Sequence, residues 1–98
     1  MNNPPSLLLI DLECTCNDAP PLPKGESEII EIGMVLGLLA PEGFTVIDEL
    51  QLYVQPTIHP TLTRFCTELT GIEQETVNDA PLLQAALKQL AGFLERHS

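Results

Sequence analysis

Two carboxylates one residue apart, Asp11 and Glu13, end an apolar run that reads L-L-L-I-D-L-E-C-T-C from Leu7 to Cys16. A short apolar run of this kind predicts a buried strand over Leu7–Leu12. On a strand, residues i and i+2 share a face with Cα atoms ~6.5 Å apart. Asp11 and Glu13 therefore project together, and Leu12 points the other way. Like charges this close repel, and the arrangement is costly unless a cation lies between them. Oxygen donors at this spacing suit Mg2+ or Mn2+. The plainer alternative is a strand that ends at the surface with its acids in water, and spacing alone favours it.

The other residue types capable of chemistry give less. Cys14, Cys16 and Cys66 are an odd number of thiols with no secretion signal ahead of them, which argues for reduced cysteines. With His59 they form a zinc set on paper, but the spacing fits no known ribbon, and buried or half-buried thiols are the better reading. The chain of 98 residues carries 14 acids against 4 bases, a net charge of −10. Such a surface repels nucleic acid at low salt. Charge alone therefore argues against a nucleic-acid protein, and any such reading needs metal ions or basic residues from elsewhere.

The elements that must position the acids follow from pattern. The length suits one domain with a modest core, and 44% hydrophobic residues exclude a disordered chain. No apolar run approaches the ~20 residues of a membrane span, so no membrane role is expected and a cytoplasmic location is the default. Met1–Pro5 reads as a tail. Residues 17–27 form a Pro- and Gly-rich loop beside the acids; a rigid surface loop fits Pro20–Pro23 better than a proline-ligand motif. Glu28–Leu39 is a second strand, with helix as the competing reading, and its Gly33 and Gly37 mark a bulge or a close approach. Ala40-Pro41-Glu42-Gly43 is a turn, and Phe44–Val54 alternates as a third strand, which makes an antiparallel hairpin. Thr61 is placed to cap a helix over Leu62–Leu69 with Leu62, Phe65, Cys66 and Leu69 as its apolar stripe, and Gly71 follows it as a positive-φ cap. Glu73–Val77 makes one helical turn. Asn78 or Asp79 caps a last helix with Pro81 in its first turn and a stripe of Leu83, Ala86, Leu87, Leu90 and Leu94, flanked by Phe93. The order is α/β (α+β): three antiparallel strands, then helices, with one sheet edge left open, although Gln51–Val54 and the first strand both look too apolar for bare edges.

At this point the residues resemble a known family. D-x-E-x-T-C at Asp11–Cys16, E-I-I-E-I-G at Glu28–Gly33 and F-C-x-x-L-T-G-I at Phe65–Ile72 are similar to the DEDDh 3′–5′ exonucleases. The resemblance is nearest to the branch of histone-mRNA 3′-end exonucleases and spans Leu7 to about Leu94. It implies an RNase H-like fold and removal of nucleotides one at a time from a 3′ end of single-stranded or 3′-overhanging DNA or RNA. It implies two Mg2+ (or Mn2+) ions per complete site, with Asp11 bridging both and Glu13 holding the ion that activates water. The backbone at Leu12 would lie near the terminal 3′-hydroxyl. Thr70, Gly71 and Ile72 would line the pocket for the last nucleotide, with Ile72 against a base; the residues alone favour a plain helix cap with a hydrophobic contact, and with the resemblance both readings can hold. Cys14 departs from the branch's small residue, and Glu73 from its usual Ser or Thr cap.

The family's third and fourth Asp and its His general base have no counterparts here, and His59 and His97 read as surface histidines. The expectation is that residues 1–98 are the N-terminal portion of a single exonuclease domain, inactive alone. Its open sheet edge would be covered by a missing C-terminal half, a second copy or another chain. Glu28 and Glu31 could stand in as metal ligands, but solvent-facing or supporting roles suit them better. The alternative function is a non-catalytic acidic binding module or dimer built on the same scaffold.

Overall fold

The computed structural model describes residues 4–98, so the expected tail at Met1–Pro5 lies mostly outside them. Three strands, β1 (Ser6–Cys14), β2 (Ile29–Ala40) and β3 (Gly43–Tyr53), precede three helices, α1 (Arg64–Thr70), α2 (Gln74–Asn78) and α3 (Leu83–Arg96). The sheet is antiparallel in the order β1-β2-β3. Its hairpin turns at Pro41 and Glu42, where Gly43 takes a φ of 137° that side chains disfavour.

Register decides which side chains share a face, because directly paired residues point the same way. Leu12 pairs Ile32, and Ile10 pairs Met34. Ile32 and Met34 are buried with Leu52, Val54, Ala86 and Phe93, so this is the face on which α3 lies. A second cluster of Ile30, Cys66, Ile72 and Val77 fixes α1 and α2 at one end of the sheet, with Cys16, Tyr53 and Leu62 against it. The pairing slips between Leu36 and Gly37, as expected for a glycine-marked irregularity. A Cβ on Gly37 would fall 2.2 Å from Cζ of Phe44, so the glycine makes room for that ring.

Several local expectations are corrected. β1 is not buried: Leu9, Ile10 and Leu12 are 53%, 58% and 46% exposed. β1 is an edge strand, and α3 packs on β3 rather than beneath it. The α1 cap is Thr63 and not Thr61, its hydroxyl accepting from the Cys66 N–H at 3.0 Å. The reason is that the Leu62 N–H is already held by Gln74 Oε1 at 2.7 Å, outside the helix. Of the expected α1 stripe only Cys66 is buried, and Leu69 is exposed. Glu73 caps α2 without a side-chain bond, as its departure from Ser or Thr implied. Neither Asn78 nor Asp79 caps α3, and Pro81 precedes it, with Leu82 as the N-cap. The face of α3 that meets the sheet carries Ala86, Leu90 and Phe93, while Leu83, Leu87 and Leu94 stay exposed.

The histidines are tie points rather than free surface groups. His59 Nε2 lies 2.7 Å from Glu26 Oε1. His97 Nε2 and Arg96 Nη2 both reach Asp48 Oδ2, at 2.8 and 3.1 Å, and so fasten the end of α3 to β3. The bond from His97 and then that from Arg96 hold the Asp48 carboxyl down at about 2. A carboxyl depressed in the folded state stabilises it above its unfolded pKa, and that contribution is lost as pH falls through the folded value. Comparison of Tm for the protein and for Asp48→Asn should show a gap at pH 5 that narrows below about pH 4 and closes near pH 2. A gap constant over that range would contradict the linkage.

Candidate functional site

Asp11 pairs Gly33 and Glu13 pairs Glu31, which puts both acids on the helix-free face of the sheet. The alternation expected from the sequence therefore holds, and the two carboxylates emerge side by side. Asp11 is exposed and Glu13 half-buried. Among the described residues, the ion pairs involve neither of them. Asp11 lines an open groove of about 500 Å³ with Leu9, Glu31, Val35, Glu49 and Gln51; Glu13 is not among its lining residues.

The strand end is held by Thr15, the one buried polar side chain among the described residues. Its N–H donates to the Glu28 carbonyl at 2.8 Å, its hydroxyl accepts from the Glu28 N–H at 2.8 Å, and its carbonyl accepts from the Ser27 hydroxyl at 2.6 Å. The pairing slips between Glu13 and Cys14 and resumes with Cys14 opposite Ile29, so the irregularity falls directly after the second acid. Thr15 thus fixes the backbone two residues beyond Glu13, and in the motif D-x-E-x-T it acts as an anchor.

The two nearby glutamates have other partners. Glu28 lies just before β2, and its carboxylate accepts from the Thr57 and Ile58 N–H groups and the Thr57 hydroxyl at 2.6–3.0 Å. Burial raises its pKa, but those bonds together with one from the His59 N–H outweigh burial and leave it lowered. Glu28 is a loop clasp and not a stand-in ligand. Glu31, directly opposite Glu13, accepts from Gln51 Nε2 at 2.6 Å, and Gln51 also lies 3.3 Å from the Tyr53 hydroxyl. This polar line across β2 and β3 was not singled out from the sequence; the outward alternation of Glu49, Gln51 and Tyr53 is the signal that would have found it.

α1 begins where β1 ends. The Thr63 hydroxyl donates to the Cys16 carbonyl at 2.6 Å, and the Cys66 thiol donates to the Cys14 carbonyl at 3.6 Å. At the far end of α1, the Thr70 hydroxyl donates to the Cys66 carbonyl and accepts from the Ile72 N–H, at 2.8 and 3.1 Å. Gly71 takes a φ of 76°, and a Cβ there would meet nothing within 4 Å, so the turn faces open space. Ile72 is only 4% exposed. Its side chain is spent on the core beside Cys66 and Val77 and does not present a surface to a base.

The donor chemistry of Asp11 and Glu13 fits a hard divalent cation. Among the described residues, no three His, Cys, Asp or Glu side chains form a metal cage, which also sets aside the zinc set of Cys14, Cys16, Cys66 and His59. The three cysteines are free thiols gathered at the strand end. Burial first, then the Glu13 charge, raises the Cys14 thiol. Burial and a hydrogen bond with Cys66 push the Cys16 thiol to about 11.

Comparison with known proteins is consistent with this geometry. The RNase_T family profile, described as Exonuclease, matches residues 8–98. The chain is 41% identical over 92 residues to the 3′-5′ exonuclease eri1 of Schizosaccharomyces pombe, covering 94% of this chain and 30% of that protein. It is 40% identical over 89 residues to ERI1 exoribonuclease 3 of Homo sapiens, covering 91% of this chain and 25% of that one. The chain thus spans less than a third of these curated relatives. Among solved structures, it superposes on the nuclease domain of 3′hExo, a DEDDh family member, bound to rAMP. The TM-score is 0.84 at 33% identity, over 94% of this chain and 44% of that one. A structure of 3′-end specific recognition of histone mRNA stem-loop by 3′-exonuclease gives a TM-score of 0.83 at 33% identity, over 94% and 31%.

Proposed function

The chain belongs to the RNase_T exonuclease family, and on that premise we propose that it carries the first two metal-facing acids of a 3′–5′ exonuclease acting on nucleic-acid 3′ ends. The observation that carries this reading is the pair Asp11 and Glu13, side by side on the uncovered face and, among the described residues, in no ion pair. Their carboxylates would hold Mg2+ or Mn2+ in a two-metal arrangement. When bound, such ions supply Lewis-acid stabilisation of the attacking and leaving oxygens of an in-line displacement.

The chain's own residues do the rest. Thr15 and Ser27 fix the strand end so that the acids keep one spacing. Leu12, between the two acids, offers its backbone to the terminal nucleotide. Thr70 has both ends of its hydroxyl engaged and so shapes the turn, Gly71 leaves the turn open to close approach, and Ile72 anchors it in the core. The net charge of −10 makes the cations necessary for substrate approach as well as for chemistry.

Two carboxylates balance only half the charge of two dications, so the reading assigns further oxygen ligands to residues beyond this pair. We infer that residues 1–98 are the N-terminal portion of one exonuclease domain. The 44% share of the aligned nuclease domain and the exposed outer side of β1 support this. A further strand of that domain is the partner assigned to the β1 edge. A non-catalytic module that self-associates through this edge is the competing reading, and a monomeric mass in solution would oppose it.

The test is an NMR titration of the protein with adenosine 5′-monophosphate, with and without Mg2+. The reading expects Mg2+ to shift the amides of residues 11–13, and nucleotide to shift those of residues 70–72 only when Mg2+ is present. Nucleotide shifts elsewhere, or shifts indifferent to Mg2+, would overturn it.

A further inference from the structure

We propose that Gln51 is a positioning residue: it holds the Glu31 carboxylate off the acid pair, so that ions bound by Asp11 and Glu13 keep coordination positions open for substrate and water. The inference rests on the metal reading above and adds a residue to it.

Two rows of paired residues cross the uncovered face side by side. Glu13, Glu31 and Tyr53 form one, and Asp11, Gly33 and Gln51 form the other. Directly opposed residues on neighbouring strands have Cβ atoms ~5 Å apart, so a cation on Glu13 lies within the swing of the Glu31 side chain. A third carboxylate would tighten the site, because cation affinity follows the charge of the ligands. It would also fill a position that a hydrolytic metal site leaves open.

The hydrogen bonds show how Glu31 is kept out. Gln51 Nε2 donates to Glu31 Oε2 at 2.6 Å and lies 3.3 Å from the Tyr53 hydroxyl oxygen. An amide nitrogen carries two hydrogens, and these two partners use both. Tyr53 in turn packs against the buried cluster of Ile30, Cys66, Ile72 and Val77. The amide is thus braced from the core, and it draws the Glu31 carboxylate toward β3, away from Glu13. Gly33, the residue paired with Gln51, has no side chain to compete for that amide.

The test is calorimetric titration of the purified protein and its variants with Mn2+. Gln51→Leu keeps the bulk and removes both donors, and it should bind Mn2+ about tenfold more tightly than the parent. The double variant Gln51→Leu/Glu31→Gln should bind no more tightly than Glu31→Gln alone, since the gain belongs to the freed carboxylate. Unchanged or weaker binding by Gln51→Leu would overturn the proposal, and so would a gain that survives Glu31→Gln. The parent separates this failure from that of the reading beneath it. If it takes up no Mn2+, or takes up as much after Asp11→Asn, the metal reading fails and the proposal with it.

Discussion

Phe93→Ala should be the most damaging single truncation in this chain. Phe93 is fully buried, and from the single long helix it joins one buried cluster with Ile32, Met34 and Leu52 of the sheet and Val54 just beyond β3. Removing a buried aromatic ring costs about 3–5 kcal/mol through lost transfer energy and the cavity left behind. A domain of this size has roughly 5–15 kcal/mol in all, so the loss takes a large share. The ring also lies 5.3 Å from the Arg96 guanidinium and 5.3 Å from the His97 ring, the two groups that bind Asp48. Truncation therefore loosens the clasp at the end of α3 as well as the core. Thermal denaturation should show Tm lower by roughly 15–30 °C, at about 4–8 °C per kcal/mol for a domain this short. A drop of only a few degrees would mean that α3 contributes little to holding the sheet.

Phe93 also shows what the sequence could and could not say. The period of Leu83, Ala86, Leu87, Leu90 and Leu94 correctly announces an amphipathic helix. With Phe93 those residues span an arc of only about 120° at 3.6 residues per turn, yet the sheet meets one side of that arc and leaves Leu83, Leu87 and Leu94 exposed, a choice that periodicity alone does not make. The choice of Ala86, Leu90 and Phe93 comes from the shape of the β2–β3 surface, which exists only after the hairpin has formed. Strand order, the hairpin at Pro41–Gly43 and the positive-φ cap at Gly71 were legible because turn chemistry is local. The exposure of β1 was not. An apolar run states what a strand would gain from burial, and whether anything lies beside it is a property of the tertiary neighbours. Thr61 against Thr63 is a smaller case of the same kind. Either residue can cap a helix, and Gln74, twelve residues past Leu62, decides between them by taking the Leu62 N–H. At the candidate site, the pairing of Asp11 with Glu13 follows from a two-residue period. The diversion of Glu28 to residues 57 and 58 depends on a long-range contact that no local pattern records.

Asp11→Asn separates a carboxylate kept for binding from one kept for structure. Asn preserves the shape and one oxygen donor while removing the charge. Without metal, the parent carries Asp11, Glu13 and Glu31 on one face, and Glu13 sits directly opposite Glu31. Like charges facing one another across a ladder destabilise it by up to ~1 kcal/mol. Relieving part of that repulsion should leave the metal-free variant as stable as the parent or slightly more so. With Mg2+ or Mn2+ the order should reverse. Loss of a direct charged ligand should weaken the site by ~100-fold or more, since even supporting residues behind a metal ligand are worth 10–100-fold. Ligand-linked stabilisation grows with the logarithm of occupancy, so Tm of the parent should climb with added Mn2+ while that of the variant stays nearly flat. Mn2+ should also broaden the NMR signals of residues 10–14 in the parent alone. Glu31→Gln is the control: its carboxylate already accepts from Gln51, so it should disturb the metal response far less. If Asp11→Asn destabilised the metal-free protein and left the response to Mn2+ unchanged, Asp11 would be a structural residue, and the acid pair would lose its claim to a metal.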